Sequence, residues 1–244
     1  RLREMCGFWG YTDEQVRRAR AAYYGLISYL DAKIMNLLDT LDRTGLAENT
    51  VVIHTSDHGD MLGEHGLWRK MSFYEQAARI PMQIRWPDVV PGGVKIKESV
   101  SLIDATATVL ELSGFSIDEQ KSKWLVDGDT LSPVLQGKRD NWKNEAFCEH
   151  NAHGTDRPRA MIRTGDWKLC YSYGEPEEFE LYNLKEDPGE FTNLADDRQY
   201  ADIKEKLFTK ITSRWDGEKI NNEVIASQEE RLLIRSVVPE AQLF

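Results

Sequence analysis

The densest concentration of reactive side chains is one short stretch, Ser56-Asp57-His58-Gly59-Asp60, followed by Glu64-His65-Gly66 and then Lys70. An aspartate next to a neutral histidine makes a competent metal-ligating pair, one carboxylate oxygen beside one imidazole nitrogen. Gly59 allows the backbone to turn sharply beside an ion. Two ligands are too few for a closed site, so further ligands must come from elsewhere. The plain structural alternative for Asp57-His58-Gly59 is an Asx-type turn with a surface histidine. Lys70 alone, or His65 alone, reads as an ordinary surface side chain. The order and spacing of the whole group is what points to chemistry.

Elements with clear sequence signals must position this group. Thr12 and Gln15 form a capping box in which each side chain satisfies an orphan N–H. Apolar residues then recur at helical spacing through Val16, Ala19, Tyr23, Ile27, Leu30, Ile34, Leu38 and Leu41, and Gly45 stands at the C-terminal cap. This long amphipathic helix is expected to lay one face on a sheet. The run Val51 to Ser56 is β-branched and too brief for a helix. It reads as a buried strand, parallel because a long helix precedes it. The Asp-His pair thus falls at the carboxyl end of a strand, where open α/β sheets bind ligands. A second strand is expected from Ile80 to Trp86, a turn at Pro91-Gly92-Gly93, and a helix from Leu102 to Leu112 ended by Gly114. From Glu145 the pattern becomes short strands, 145–149, 160–164, 166–172 and 179–184, the mark of an antiparallel sheet. Helices are expected from Asp196 to Trp215 and from Lys219 to about Val237. The fold class is therefore α/β with a small antiparallel layer: residues 1–140 form the larger part and 141–244 the smaller.

Composition narrows the function classes. The 244 residues carry 31 Lys and Arg against 41 Asp and Glu, a net charge of −10, with 41% hydrophobic residues. Such apolar content excludes wholesale disorder. The acidic balance argues against general nucleic-acid binding, and no apolar run is long enough for a membrane helix. Cys6, Cys148 and Cys170 are scattered and form no C-x-x-C, which argues against a structural zinc site or a disulfide scaffold and leaves room for one disulfide. The start at Arg1-Leu2-Arg3, without an initiator Met or a signal peptide, leads to the expectation of an upstream segment, and bacterial cytoplasm and periplasm both stay open, the odd cysteine count slightly favouring a reducing compartment.

Residues 55–87, TSDHGDMLGEHGLWRKMSFYEQAARIPMQIRWP, resemble the second signature of the sulfatase branch of the alkaline-phosphatase-like superfamily. The preceding RRARAAYYGLISYLDAKIMNLLDTLDRTGLAENTVVI is similar to the same family, as is the later AMIRTGDWKLCYSYGEPEEFELYNLKEDPGEFTNLADD of residues 160–197. The tail RWDGEKINNEVIASQEERLLIRSVV looks most like the bacterial choline-sulfatase and arylsulfatase types. The resemblance implies part of an alkaline-phosphatase-like mixed sheet flanked by helices, plus a small C-terminal antiparallel sheet with helices.

The resemblance also implies roles. Asp57 and His58 match the family's metal pair after the central strand, where many members have Asp-Asn. Calcium is the implied ion, although an imidazole donor leaves manganese or another divalent ion open. Lys70 matches the lysine that contacts sulfate oxygens and offsets charge developing on the transferred group. His65 is given no chemical step, and Arg79 is expected to anchor the loop. His150 and His153, on a loop between two strands of the smaller layer, are candidate substrate contacts, with an ordinary polar surface loop as the alternative; Arg157 and Arg159 are equally readable as structural.

One departure is large. The family's nucleophile is a formylglycine made from Cys or Ser in a C-x-P-S-R motif, and neither that motif nor the family's first Asp-Asp pair occurs here. The resemblance therefore implies the C-terminal half of a sulfatase whose nucleophile lies upstream, inactive by itself, with the N-terminal half of the same protein as its partner. In the whole enzyme the implied reaction is a double displacement on a small-molecule or carbohydrate sulfate ester. A phosphonate monoester or phosphodiester hydrolase shares the same metal loop, and a non-catalytic assembly domain is the third reading. The C-terminal helices leave a homo-oligomer open. No membrane or nucleic-acid partner is expected.

Overall fold

Thr12 opens the first helix as its capping box predicts. In the computed structural model, which describes residues 10–118, 127–151 and 154–237, the Thr12 backbone N–H donates to Gln15 Oε1 at 2.8 Å and the Gln15 N–H returns to Thr12 Oγ1 at 3.3 Å. Helix α1 then runs from Asp13 to Arg43, about 46 Å at 1.5 Å per residue. It stops in a Schellman arrangement. Gly45 takes φ +70°, its N–H bonds to Asp42 O at 3.1 Å, and the Leu46 N–H bonds to Leu41 O at 3.0 Å.

The chain divides into two units, residues 1–144 and 145–244. In the first, β1 (Val52–Thr55) pairs with β2 (Met82–Arg85) in antiparallel register, Val52 opposite Arg85 and Thr55 opposite Met82. This corrects the expectation of a parallel strand. A parallel return needs a crossover of a dozen or more residues, usually a helix. The chain between β1 and β2 holds only a 3₁₀ turn, Glu64–Gly66, and the single-turn helix α2, Glu75–Ala78. The expected burial of one α1 face is also corrected. No α1 residue is buried, and Tyr24, Leu26, Ile27, Leu30 and Leu37 stand exposed. A two-stranded ribbon has no face wide enough to cover so long a helix. Helix α3, Leu102–Leu112, opens on a capping box between Ser101 and Asp104 and is followed by α4, Ser132–Leu135. The fully buried Asp104 carboxylate also accepts from the Asp129 N–H at 3.0 Å and lies 2.7 Å from Lys143 Nζ.

The second unit is a four-stranded antiparallel meander, β3 (Glu145–His150), β4 (Arg159–Thr164), β5 (Trp167–Ser172) and β6 (Glu178–Asn183), in that spatial order. Each strand falls within one residue of where the sequence placed it. The expected helix over 196–215 is split into a 3₁₀ turn, Arg198–Tyr200, and α5, Ala201–Thr212; α6 follows from Gly217 to Val237. The Asp197 side chain accepts from the Gln199 N–H at 2.9 Å and caps the short turn before α5 starts.

Period-two alternation assigns the sheet's two faces. Ala160, Ile162, Leu169, Tyr171 and Leu181 face a core completed by Leu207 and Ile211 of α5 and by Trp215. Met161, Lys168, Cys170 and Tyr182 point the other way and are buried too. On that face Lys168 Nζ lies 2.6 Å from Glu190 Oε1, both side chains wholly buried, a close ion pair inside the sheet's packing. Cys148 and Cys170 are free thiols, separated by β4, two strand spacings or about 9.6 Å. Burial pushes the Cys170 thiol up to about 12. No helix among the described residues is long and apolar enough to cross a membrane.

Candidate functional site

The site begins where β1 ends. Ser56 Oγ donates to His58 O at 2.9 Å, and the His58 backbone N–H donates to Asp57 Oδ1 at 2.9 Å, so the chain turns tightly as it leaves the strand. Gly59 follows under tight constraint. Its N–H bonds to Ala77 O at 2.8 Å, and a Cβ added there would lie 2.0 Å from the Gln76 carbonyl oxygen. The glycine lets the Asp-His turn sit directly against α2.

Three sequence-predicted residues come together at this turn. His58 Nδ1 lies 2.8 Å from Gly59 O. A carbonyl only accepts, so Nδ1 carries the proton and the neutral ring keeps its lone pair on Nε2. Asp57 Oδ2 is 3.3 Å from that Nε2, and the Lys70 ammonium donates to it at 2.6 Å. A carboxylate and an imidazole lone pair thus stand side by side with a positive group against them. That arrangement fits a cation, with Asp57 and His58 as two donors and Nδ1–H fixed by the carbonyl in the manner of metal-bound histidines. Among the described residues no cluster of three or more His, Cys, Asp or Glu side chains could hold a metal.

Electrostatics agree with the geometry. The Asp57 carboxyl is held below the ordinary carboxylate range, chiefly by the His58 backbone N–H, with the Lys70 ammonium adding to it. Its side chain is 80% exposed, so solvent screens these interactions and the carboxylate is free to meet a ligand.

The segment linking His58 to Lys70 is built by contacts that the sequence reading did not assign. Asp60 Oδ1 accepts from the backbone N–H groups of Leu62 at 2.9 Å and Arg69 at 3.2 Å. The Met61 N–H donates to Arg69 O at 2.7 Å, closing the base of the loop, and the Met61 side chain is buried. From α1, Arg20 donates through Nε to Leu62 O at 2.7 Å and through Nη2 to Glu64 Oε1 at 2.8 Å. His65 stacks on Tyr74 with ring centroids 3.9 Å apart. Asp60 had a readable signal, the Asx-turn spacing to Leu62. Arg20 had none, because its contact spans more than forty residues.

Other candidates fall elsewhere. Arg79 is exposed and closes α2 through its backbone N–H to Glu75 O at 2.9 Å. His150 is not on a loop as expected: β3 continues to it, and it pairs with Arg159. By register it shares a sheet face with Arg159, whose Nε donates to Ser172 Oγ at 3.0 Å. His153 lies outside the described residues, as does Cys6.

Comparison with known proteins follows the same lines. The family described as N-sulphoglucosamine sulphohydrolase, C-terminal, matches residues 63–216, more than half of the chain, and the Sulfatase family matches residues 2–115. The choline-sulfatase of Rhizobium meliloti (strain 1021) is 37% identical over 240 residues, covering 96% of this chain and 45% of that protein. A structure solved in complex with its substrate D-glucosamine-2-N,6-O-disulfate superposes with a TM-score of 0.66 at 28% identity, over 81% of this chain and 40% of its own. The phosphonate monoester hydrolase of Agrobacterium radiobacter gives a TM-score of 0.69 at 28% identity, over 83% and 42%. The chain spans less than half the length of each, and its fold is that of the alkaline-phosphatase-like enzymes. A strand-end Asp-His turn, a lysine brought back onto it and these family matches lead to one assignment: the chain belongs to the sulfatase family and represents its C-terminal portion.

Proposed function

We propose that the whole protein hydrolyses sulfate esters, and that this chain contributes two metal donors, Asp57 and His58, and one oxyanion contact, Lys70. The observation that carries the reading is the convergence of Asp57 Oδ2, His58 Nε2 and Lys70 Nζ within hydrogen-bonding range at the end of β1. A divalent cation held there supplies Lewis-acid stabilisation of the ester's oxygens; calcium is the proposed ion, with manganese or another divalent metal as the alternative that an imidazole donor favours. Asp57 presents an ionised carboxylate at neutral pH, and Gly59 O keeps His58 in the tautomer that ligates through Nε2. Lys70 places a positive charge where negative charge develops as the ester bond breaks.

The nucleophile, proposed to be a formylglycine, comes from the N-terminal half of the same protein. On this reading residues 1–244 alone have no turnover. The substrate is proposed to be a small-molecule or carbohydrate sulfate, in keeping with the choline-sulfatase likeness and with the sulfated sugar bound in the superposed structure. His150 and His153 are proposed substrate contacts.

The test is release of inorganic sulfate from choline sulfate, a chromogenic aryl sulfate and glucosamine-6-O-sulfate by the full-length protein. EDTA treatment should abolish it, and Asp57→Ala, His58→Ala and Lys70→Ala should each lower it by about 10²- to 10³-fold. Retained activity in all three variants would overturn the assignment. The likeness to a phosphonate monoester hydrolase favours a second reading: faster turnover of a phenyl phosphonate monoester than of every sulfate would establish it instead.

A further inference from the structure

Lys70 stands on a stretch of backbone that does not hold its conformation unaided. Between Asp60 and Lys70 the chain turns left-handed at three residues that are not glycine: Leu62 at φ 47°, His65 at φ 51° and Arg69 at φ 65°. Such conformations are strained and persist only where the surroundings over-determine them. A single atom, Asp60 Oδ1, accepts from the N–H groups of two of the three, Leu62 and Arg69. Arg69 immediately precedes Lys70. On its far side, the Ser72 N–H bonds to Lys70 O at 2.8 Å and Ser72 Oγ donates to the sulfur of the buried Met61 at 3.2 Å. The backbone is therefore held on both sides of Lys70, and Asp60 supplies the hold on the entering side.

We infer that Asp60 is a positioning residue for Lys70. Its carboxylate fixes the left-handed turn at Arg69, and that turn sets the direction in which the Lys70 side chain leaves the loop toward His58 and the bound oxyanion. Asp60 touches no reacting atom. Its effect passes through Lys70, and the inference rests on the proposed reading of Lys70 as the oxyanion contact. An asparagine keeps an oxygen acceptor at the same place, whereas alanine leaves both strained N–H groups without it.

The experiment measures binding of inorganic sulfate, and separately of inorganic phosphate, to the full-length protein by titration calorimetry. Wild type is compared with Asp60→Ala, Asp60→Asn, Lys70→Ala and the Asp60→Ala/Lys70→Ala double variant, with thermal melts confirming folding. Asp60→Ala should weaken oxyanion binding by about 10- to 100-fold, the range that an ångström-scale misplacement produces. Asp60→Asn should stay within about threefold of wild type. In the double variant the Asp60 substitution should add nothing beyond Lys70→Ala, because the two act as one unit. Where Asp60→Ala does not accumulate folded, Asp60→Ser carries the same comparison, and weaker oxyanion binding is again expected. Oxyanion binding by Asp60→Ala or Asp60→Ser equal to wild type would overturn the inference alone, as would losses that multiply in the double variant. Failure of the wild type to bind either anion would overturn the reading of Lys70 itself, and the inference with it.

Discussion

Asp57 and Lys70 meet across one imidazole, and their charges are read most directly by titration. The Asp57 carboxyl is depressed by the His58 N–H and the Lys70 ammonium. A depressed folded-state value means that any stability the carboxylate contributes is present above the ordinary carboxylate range and is lost only as pH falls through the lowered value. In the full-length protein without metal, carbon-13 NMR of the Asp57 carboxyl should show a midpoint below that range, moving upward in Lys70→Ala; an unchanged midpoint in the variant would separate the two groups. Lys70 also occupies the Nε2 lone pair at 2.6 Å. Removing that cation in Lys70→Ala should tighten binding of Mn²⁺ alone by roughly thirtyfold, the equivalent of about 2 kcal/mol of repulsion between a divalent and a monovalent cation at 4 Å in water. Calorimetry with the metal as sole ligand reads this without any turnover. At this scale the sequence was informative: Asp57, His58 and Lys70 announce themselves through residue type and through a glycine-rich spacing. Asp60 was visible only as a member of the cluster, and Arg20 was not visible at all, since its partners Leu62 and Glu64 are brought to it by tertiary structure.

Elements carry the next set of consequences. Gly59 has no room for a side chain against Gln76 O, so Gly59→Ala must move either the Asp-His turn or α2. Overpacking of this kind costs about 1–3 kcal/mol, and the expected result is a lowered melting temperature together with weakened metal binding. In the second unit the Lys168–Glu190 pair is wholly buried. Lys168→Met withdraws the ammonium from a buried carboxylate and should destabilise by about 3–5 kcal/mol, with much of the loss recovered by adding Glu190→Gln; chemical denaturation of the single and double variants measures both. Local signals made many elements legible. The Thr12–Gln15 box, the Gly45 stop and the strands of the meander each depend on a few adjacent residues. Pairing direction was not legible, because β1 is equally β-branched in either orientation and only the path from Ser56 to Pro81 decides it. The end of β3 was hidden for a related reason: His150 joins the strand through its partner Arg159, not through its own propensity.

For the molecule as a whole, the chain covers 45% of the choline-sulfatase it resembles, and the described residues leave much apolar surface in water. Leu26, Tyr29 and Leu30 on α1 and Leu232, Leu233 and Val237 on α6 are all more than half exposed. Apolar side chains exposed in this way on each helix drive association. Residues 1–244 expressed alone should bind a hydrophobic dye and self-associate in light scattering, whereas the full-length protein should show much less of both; equal behaviour would contradict this. The antiparallel pairing of β1 with β2 has a different kind of consequence. It confines Asp57, His58 and Lys70 to one connection, with thirteen residues from the first to the last. Chain segments of about ten residues close in tens of nanoseconds, and local contacts form faster than distant ones. The turn that carries these three side chains is therefore a product of early, short-range folding. It can be in place on a nascent polypeptide before distant strands are paired.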